Sequence, residues 1–146
     1  MNIPIRKECP PGACDCRRET LLDDPTADRR ILMLTQQEEK RLIERLEAIE
    51  TLADLRRMQE RMRAQLGLVV TITPSENEVR TVQGFQIDMA DQPGLCRKTR
   101  AAIPAAIRRC MKMHEQIAFD ILNERDLLGG LFGHPSGNDN PQDNQT

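Results

Sequence analysis

Residues 35–67 read TQQEEKRLIERLEAIETLADLRRMQERMRAQLG and form the most strongly patterned stretch of the chain. A T-x-x-E sequence opens it, in which the hydroxyl of Thr35 can accept from the third helical amide while the carboxylate of Glu38 reaches back. Leucines and isoleucines then recur every three or four residues, with charged side chains between them. The sequence therefore predicts an amphipathic helix that begins at Thr35.

A second helix-start signal lies inside the same stretch. Thr51 and Asp54 repeat the capping pattern, and Gly67 marks a helix end. Apolar residues at helical spacing lie between these signals, namely Leu52, Leu55, Met58, Met62 and Leu66. We predict either a helical hairpin or one long kinked helix, with a solvated outer face of mixed charge.

Downstream of Gly67 the pattern changes from helical to extended. Residues 68–73 are rich in β-branched side chains, and residues 79–89 alternate partly between apolar and polar. The short link at 74–78 predicts an antiparallel β-hairpin. Because an isolated hairpin is weak, its apolar face must pack on the helices. Residues 31–34 are expected to serve either as a third strand or as an apolar staple for the first helix.

The helical pattern returns from Leu95 onward. Its apolar stripe comprises Ile107, Met111, His114, Ala118 and Ile121. Pro104 interrupts the pattern, so either a helix ends near Ile103 or Pro104 occupies the first turn of a new helix. The predicted fold class is α+β, with a helical hairpin and C-terminal helices packed on a small antiparallel β-hairpin, and with an N-terminal Cys-rich loop.

The chain has 146 residues, which is the length of one ordinary domain, and its composition changes along the sequence. We predict a Cys-rich loop and link at 1–34, a compact α+β domain at 35–132 and a disordered polar tail at 133–146. The aromatic content of 2%, without Trp or Tyr, excludes large stacking platforms. With a net charge of -2 and neither an apolar span nor a signal peptide, a cytoplasmic protein without membrane contact is expected.

Five cysteines carry the main chemical signal. Their odd number in a chain without an export signal argues for reduced thiols. Cys9, Cys14 and Cys16 fall within the string CPPGACDC, whose prolines and glycine stiffen the loop before anything binds. Clustered thiolates repel one another, and a divalent cation or an iron–sulfur cluster is the usual way to offset that cost. The loop therefore predicts a metal site, with three free thiols as the alternative.

A three-thiol loop needs a fourth ligand from farther along the chain. Cys96 is the preferred residue, because it follows the turn signal Pro93-Gly94 and can be presented at a helix start. The alternatives are Cys110, His114 and His134, although Cys110 has the setting of a small buried apolar residue. The C-x4-C-x-C spacing matches neither a zinc ribbon nor a plant-type ferredoxin. Zinc is the predicted metal, and an iron–sulfur cluster is the alternative.

A basic region follows Cys96, since no acidic residue occurs between Asp91 and Glu115. Its six basic residues are Arg97, Lys98, Arg100, Arg108, Arg109 and Lys112. Such a helical surface can bind a protein partner or nucleic acid, but these charges can also pair with the acidic faces of the earlier helices. No helix-turn-helix, RRM or C2H2 pattern is present in the sequence.

The sequence offers little catalytic chemistry. It has two histidines and lacks the G-x-x-x-x-G-K-[ST], G-x-G-x-x-G and H-E-x-x-H motifs. We therefore predict no enzymatic activity, and no small-molecule substrate is evident. The predicted function is a small cytosolic interaction or regulatory protein with a Cys-ligated structural metal and a basic surface for a partner. The alternatives are a nucleic-acid-binding regulator and an iron–sulfur redox sensor or electron carrier.

Overall fold

A computed structural model describes residues 6–7, 9–10, 12, 14–74 and 84–132, with the side chains of 125–132 excepted. Within these ranges the chain forms five α-helices, one 3-10 helix and one two-stranded sheet. In chain order they are α1 (Arg18–Asp23), the 3-10 helix (Arg30–Met33), α2 (Gln36–Glu47), α3 (Leu52–Leu66), β1 (Val70–Pro74), β2 (Phe85–Met89), α4 (Arg97–Met113) and α5 (Gln116–Phe132). The predicted α+β class is confirmed.

Helices α2 and α3 begin at the two predicted capping residues. The hydroxyl of Thr35 accepts from the backbone N–H of Glu38 at 3.2 Å, and Thr51 accepts from Asp54 at the same distance. Helix α3 ends at Gly67, whose φ of +70° satisfies the left-handed geometry of a helix C-terminus. The two helices are separate, so the alternative of one long kinked helix was wrong.

The β-hairpin pairs β1 with β2 in antiparallel register, with Ile72 opposite Ile87. Alternate side chains of both strands are buried, and Gln59 of α3 donates its side-chain amide to the carbonyl of Val70 at 2.7 Å. The hairpin therefore packs on the helices as predicted. Strand β2 begins at Phe85, and the first part of the predicted second strand lies outside the described residues.

Two short elements precede α2. The prediction of a third strand at 31–34 was wrong, because Arg30–Met33 forms a 3-10 helix whose Ile31 and Leu32 are buried. These side chains instead anchor the chain in front of the Thr35 cap, as the staple alternative expected. Helix α1 was not predicted at all. Its six residues are too few for a periodic pattern, and Leu21 supplies its buried apolar contact.

Helix α4 runs unbroken through Pro104, so the predicted break near Ile103 was wrong. A proline inside a helix removes one backbone hydrogen bond and costs about 3 kcal/mol. The residues around Pro104 offset this cost, since Ile103, Ala106 and Ile107 are all completely buried. The helical break comes at His114 instead, and the predicted apolar stripe is divided between α4 and α5.

The core is one cluster to which the helices, the 3-10 helix and the hairpin all contribute. Its most deeply buried side chains include Leu46 of α2, Leu55 of α3, Met111 of α4 and Ile117 of α5. Leu21 of α1 joins the same cluster, so the segment after the cysteine loop packs on the body. The division at 34/35 stays a prediction, and 133–146 lies outside the described residues. None of the helices described has the length and apolar character needed to cross a membrane.

Candidate metal centre

Four cysteines from two distant parts of the chain lie side by side. The Sγ atoms of Cys9, Cys14, Cys16 and Cys96 all lie within 4.8 Å of one another, and those of Cys9 and Cys96 are 3.5 Å apart. The structure thus brings together the loop and the cysteine that sequence analysis preferred as fourth ligand. This four-cysteine group could hold a metal ion; that these residues are its ligands stays a prediction.

The turn before α4 positions Cys96. Gly94 has a φ of +92°, and a Cβ atom there would lie 2.5 Å from Cδ1 of Leu21 and 2.8 Å from Cγ2 of Ile31. Both the backbone conformation and the close approach therefore require glycine. Two residues later, Cys96 occupies the N-cap position of α4, as the Pro93-Gly94 signal predicted.

Backbone hydrogen bonds dock the cysteine loop on this turn and on the 3-10 helix. The N–H of Gly94 donates to the carbonyl of Cys16 at 2.5 Å, and the N–H of Arg6 donates to that of Leu32 at 2.7 Å. The Arg6 guanidinium donates to the Gly94 carbonyl, while Arg18 donates to the carbonyl of Arg6 at 3.2 Å. Hydrogen bonds thereby hold the loop at the Gly94 turn and at the 3-10 helix, in addition to the contacts between the thiols.

Asp15, between two of the cysteines, gives the loop a charged link to α4. Its carboxylate accepts from the guanidinium of Arg100 at 2.5 Å and lies 3.9 Å from Nε of Arg97. The hydrogen bond from Arg100 is the main cause that lowers the pKa of the Asp15 carboxyl. The two cysteines of the C-D-C string thus belong to the four-cysteine group. The aspartate between them neutralises positive charge at the start of α4.

The thiols differ in their acidity. Burial raises the pKa of Cys14, but hydrogen bonds from the backbone N–H groups of Arg97 and Cys16 and from the other thiols outweigh it, so that this pKa is lowered to about 7. Burial is the main cause that raises the pKa of Cys9 and of Cys96. Cys14 is thus the thiolate from which coordination can start, while the raised pKa values of Cys9 and Cys96 mean that these two thiols need a cation to ionise.

The alternative ligands lie elsewhere. Cys110 is completely buried in the apolar core on α4, and this burial raises its pKa to about 11. It is the small buried apolar residue that the sequence suggested. His114 forms the C-cap of α4 and does not belong to the four-cysteine group. His134 lies outside the residues that the structure describes.

The basic region is partly neutralised. Arg97 and Arg100 share Asp15, and Arg109 pairs with Glu47 of α2. The alternative of pairing with the acidic faces of the earlier helices thus holds for Arg109. Arg97 and Arg100 pair with an aspartate of the cysteine loop instead. Lys98 and Lys112 are exposed, and Arg108 is half-buried. A role of these six residues in binding a partner stays a prediction.

Sequence analysis missed the two charged residues that border the thiols. Asp15 was visible in the C-D-C string, but its partners on α4 lie more than 80 residues away. No sequence motif points to Arg6, because its contact with Gly94 joins positions 88 residues apart. Only the folded chain identifies these residues.

No protein-family model, curated protein or solved structure matches the chain.

Proposed function

We propose that this protein is a small cytoplasmic interaction or regulatory protein whose N-terminal segment is pinned to its body by one structural zinc ion. The ligands would be the thiolates of Cys9, Cys14, Cys16 and Cys96. The observation that carries the proposal is the mutual approach of the four sulfur atoms to within 4.8 Å. The odd number of cysteines supports a reducing compartment.

The spacing of the sulfur atoms favours a single ion over an iron–sulfur cluster. Four sulfurs at about 2.3 Å from a tetrahedral zinc are separated from each other by about 3.8 Å. The observed separations bracket that value, because the sulfurs of Cys9 and Cys96 are 3.5 Å apart and no pair is farther apart than 4.8 Å. A cluster, in contrast, places several irons and bridging sulfides between its cysteines and holds their sulfurs farther apart.

A site of four thiolates favours a structural role. Structural zinc sites have four protein ligands, whereas catalytic sites keep one coordination position for water or substrate. Zinc at this centre would contribute folding free energy, which the loop needs because few of its side chains are apolar. We therefore infer that this metal centre is not a catalytic site.

The surface around the end of α4 favours a protein partner. Lys112 is exposed, and next to it the side chain of Met113 is 74% exposed. Apolar surface thus accompanies the positive charge at Met113, and Phe119 of α5 is a second large apolar side chain with 47% exposure. A partner that offers acidic and apolar side chains suits this combination. Nucleic acid suits it less, because three of the six basic residues already pair with carboxylates.

Metal analysis of the full chain, purified without oxygen, tests the centre. We expect one zinc per chain, and Cys16→Ser should lower both the metal content and the thermal stability. Cys110→Ala is the matched control, because it removes a thiol outside the group and should leave the metal content unchanged. Protein without metal, or with iron and acid-labile sulfide, would contradict the proposal.

Titration of labelled duplex DNA tests the choice of partner class. We expect no more than non-specific binding, with a Kd of about 10⁻⁴–10⁻⁶ M at physiological salt. Tighter binding that Lys112→Ala weakens would instead favour the nucleic-acid-binding regulator.

A further inference from the structure

Arg6 is the single charged side chain that the described residues bury, with 8% of its surface exposed. Its Nη2 donates to the carbonyl of Gly94 and lies 3.9 Å from Sγ of Cys16. Its Nε and Nη1 are buried and have no hydrogen-bond partner within the described ranges. The guanidinium thus lies against the four-cysteine group with two of its three nitrogens unsatisfied.

A buried cation normally has an anionic partner. Removing an ion from water costs several kcal/mol unless a counter-charge and hydrogen bonds compensate it. No carboxylate pairs with Arg6 in the part of the chain that the structure describes. The sulfur atoms are therefore the groups from which compensation can come.

Neutral thiols cannot supply this compensation and a lone thiolate supplies a single negative charge, whereas a metal-thiolate centre supplies more. Four thiolates around a divalent ion carry a net charge of about -2, which is the balance of four negative charges and two positive ones. Guanidinium N–H groups next to metal-bound sulfur then donate to an anionic acceptor, and such outer contacts tune the affinity of a metal site.

We propose that Arg6 is the counter-charge of the metal centre and favours its most negative form, four thiolates around a divalent ion. This inference rests on the proposed function. Arg6 is a positioning residue, since it acts on the ion through the thiolates. A trivalent ion would leave a net charge of only about -1, so Arg6 discriminates against it by charge.

The first test is a titration of the full chain with Co²⁺, followed by sulfur-to-cobalt charge-transfer absorption and competed with zinc. Arg6→Met should weaken metal binding about 10- to 100-fold, the usual cost of losing an outer-shell contact. Arg29→Met is the matched control, because Arg29 donates to the carbonyls of Leu21 and Leu22 instead. It should bind cobalt as the wild type does, and Arg6→Lys should recover part of the affinity.

The second test distinguishes a counter-charge from a purely structural role, in which Arg6 would only hold the loop through its hydrogen bonds. In the iron-loaded chain, Arg6 stabilises the ferrous centre more than the less negative ferric one, so Arg6→Met should lower the reduction potential. If the role of Arg6 were purely structural, its loss would destabilise the protein equally with and without metal and would leave the reduction potential unchanged. If Arg6→Met does not fold, Arg6→Gln replaces it, because glutamine keeps a donor for Gly94 without the charge.

The outcomes are distinguishable. Wild-type protein that binds no ion would overturn the proposed function. Wild-type protein that binds one ion, with Arg6→Met or Arg6→Gln equal to it in both affinity and potential, would overturn the role of Arg6 alone.

Discussion

The two ends of helix α4 are attached to the rest of the molecule by different chemistry. At its start, Cys96 faces three other thiols and Arg100 pairs with Asp15. Farther along, Ile107 and Cys110 are completely buried among apolar side chains. The same side chain, cysteine, is thus a candidate ligand at one end of the helix and a core residue at the other.

On the proposed function, this difference divides the molecule into a part that a cation would hold in place and a part that the apolar core holds. The loop that meets the start of α4 docks through thiols, backbone hydrogen bonds and charged side chains. The later turns of α4 pack against α2 and α5 through the common apolar core. Metal occupancy should therefore control the loop, while the core should fold without it.

Metal removal should have the largest effect. Structural zinc contributes about 10–16 kcal/mol in small thiolate sites at pH 7, which is an upper limit here. With a chelator present, the amides of Arg6 and Gly94 should lose protection from hydrogen exchange, because their acceptors Leu32 and Cys16 separate from them. The amides of β1 should keep theirs. Equal loss of protection in both regions would show that the molecule is not divided in this way.

Ile107→Ala should produce the opposite pattern. This side chain is completely buried, and its truncation should reduce the free energy of unfolding by about 2–5 kcal/mol. Because Ile107 lies in the apolar part of α4, the metal content should stay at the wild-type value. Denaturant unfolding and elemental analysis of one preparation measure both quantities. A loss of bound metal would show that the two ends of α4 behave as one cooperative unit.

Gly94→Ala should affect both regions. The new methyl group would meet Leu21 and Ile31 at a φ of +92°, so we expect a loss of about 2–4 kcal/mol together with weaker metal binding. Gly12→Ala is the matched control. Gly12 also has a positive φ, of +75°, but none of the described residues has an atom within 4 Å of the position of its Cβ. It should lose only the backbone term of about 1–2 kcal/mol.

Local sequence patterns were sufficient to predict much of the fold. The capping signals at Thr35 and Thr51 and the glycine at 67 act within one helical turn, so the bounds of α2 and α3 could be taken from neighbouring residues. The hairpin and the N-cap position of Cys96 were predicted for the same reason. The grouping of the thiols followed from their chemistry.

Contacts between distant residues explain what the sequence did not predict. Pro104 remains helical because its neighbours are buried against other elements, which no local rule includes. Residues 31–34 have an apolar run typical of a strand, yet no described strand pairs with them. Arg6 and Asp15 reach the site through partners more than 80 residues away.

The pH dependence of the unfolding free energy tests the apolar part of α4 through the buried thiol of Cys110. Because burial raises its pKa to about 11 in the folded protein, folding favours the neutral thiol. Its contribution to stability is complete below the ordinary pKa of a thiol and is lost as the pH rises through about 11. The loss should reach at most about 3 kcal/mol. Cys110→Ala should therefore flatten the decline of unfolding free energy between about pH 9 and 11, relative to wild type. If the decline is the same in the variant, the ionisation of other groups causes it.

Asp15→Asn should have the smallest effect on stability. Its pairs with Arg97 and Arg100 are exposed, and exposed ion pairs are weak and screened by salt. The variant should bind metal nearly as tightly as wild type, and any difference should vanish in high salt. It should nevertheless raise non-specific affinity for duplex DNA at low salt, since two arginines lose their neutralising carboxylate. If the variant instead loses its metal, then Asp15 holds the loop as firmly as the thiols do, and the start of α4 depends on ion pairs rather than on sulfur.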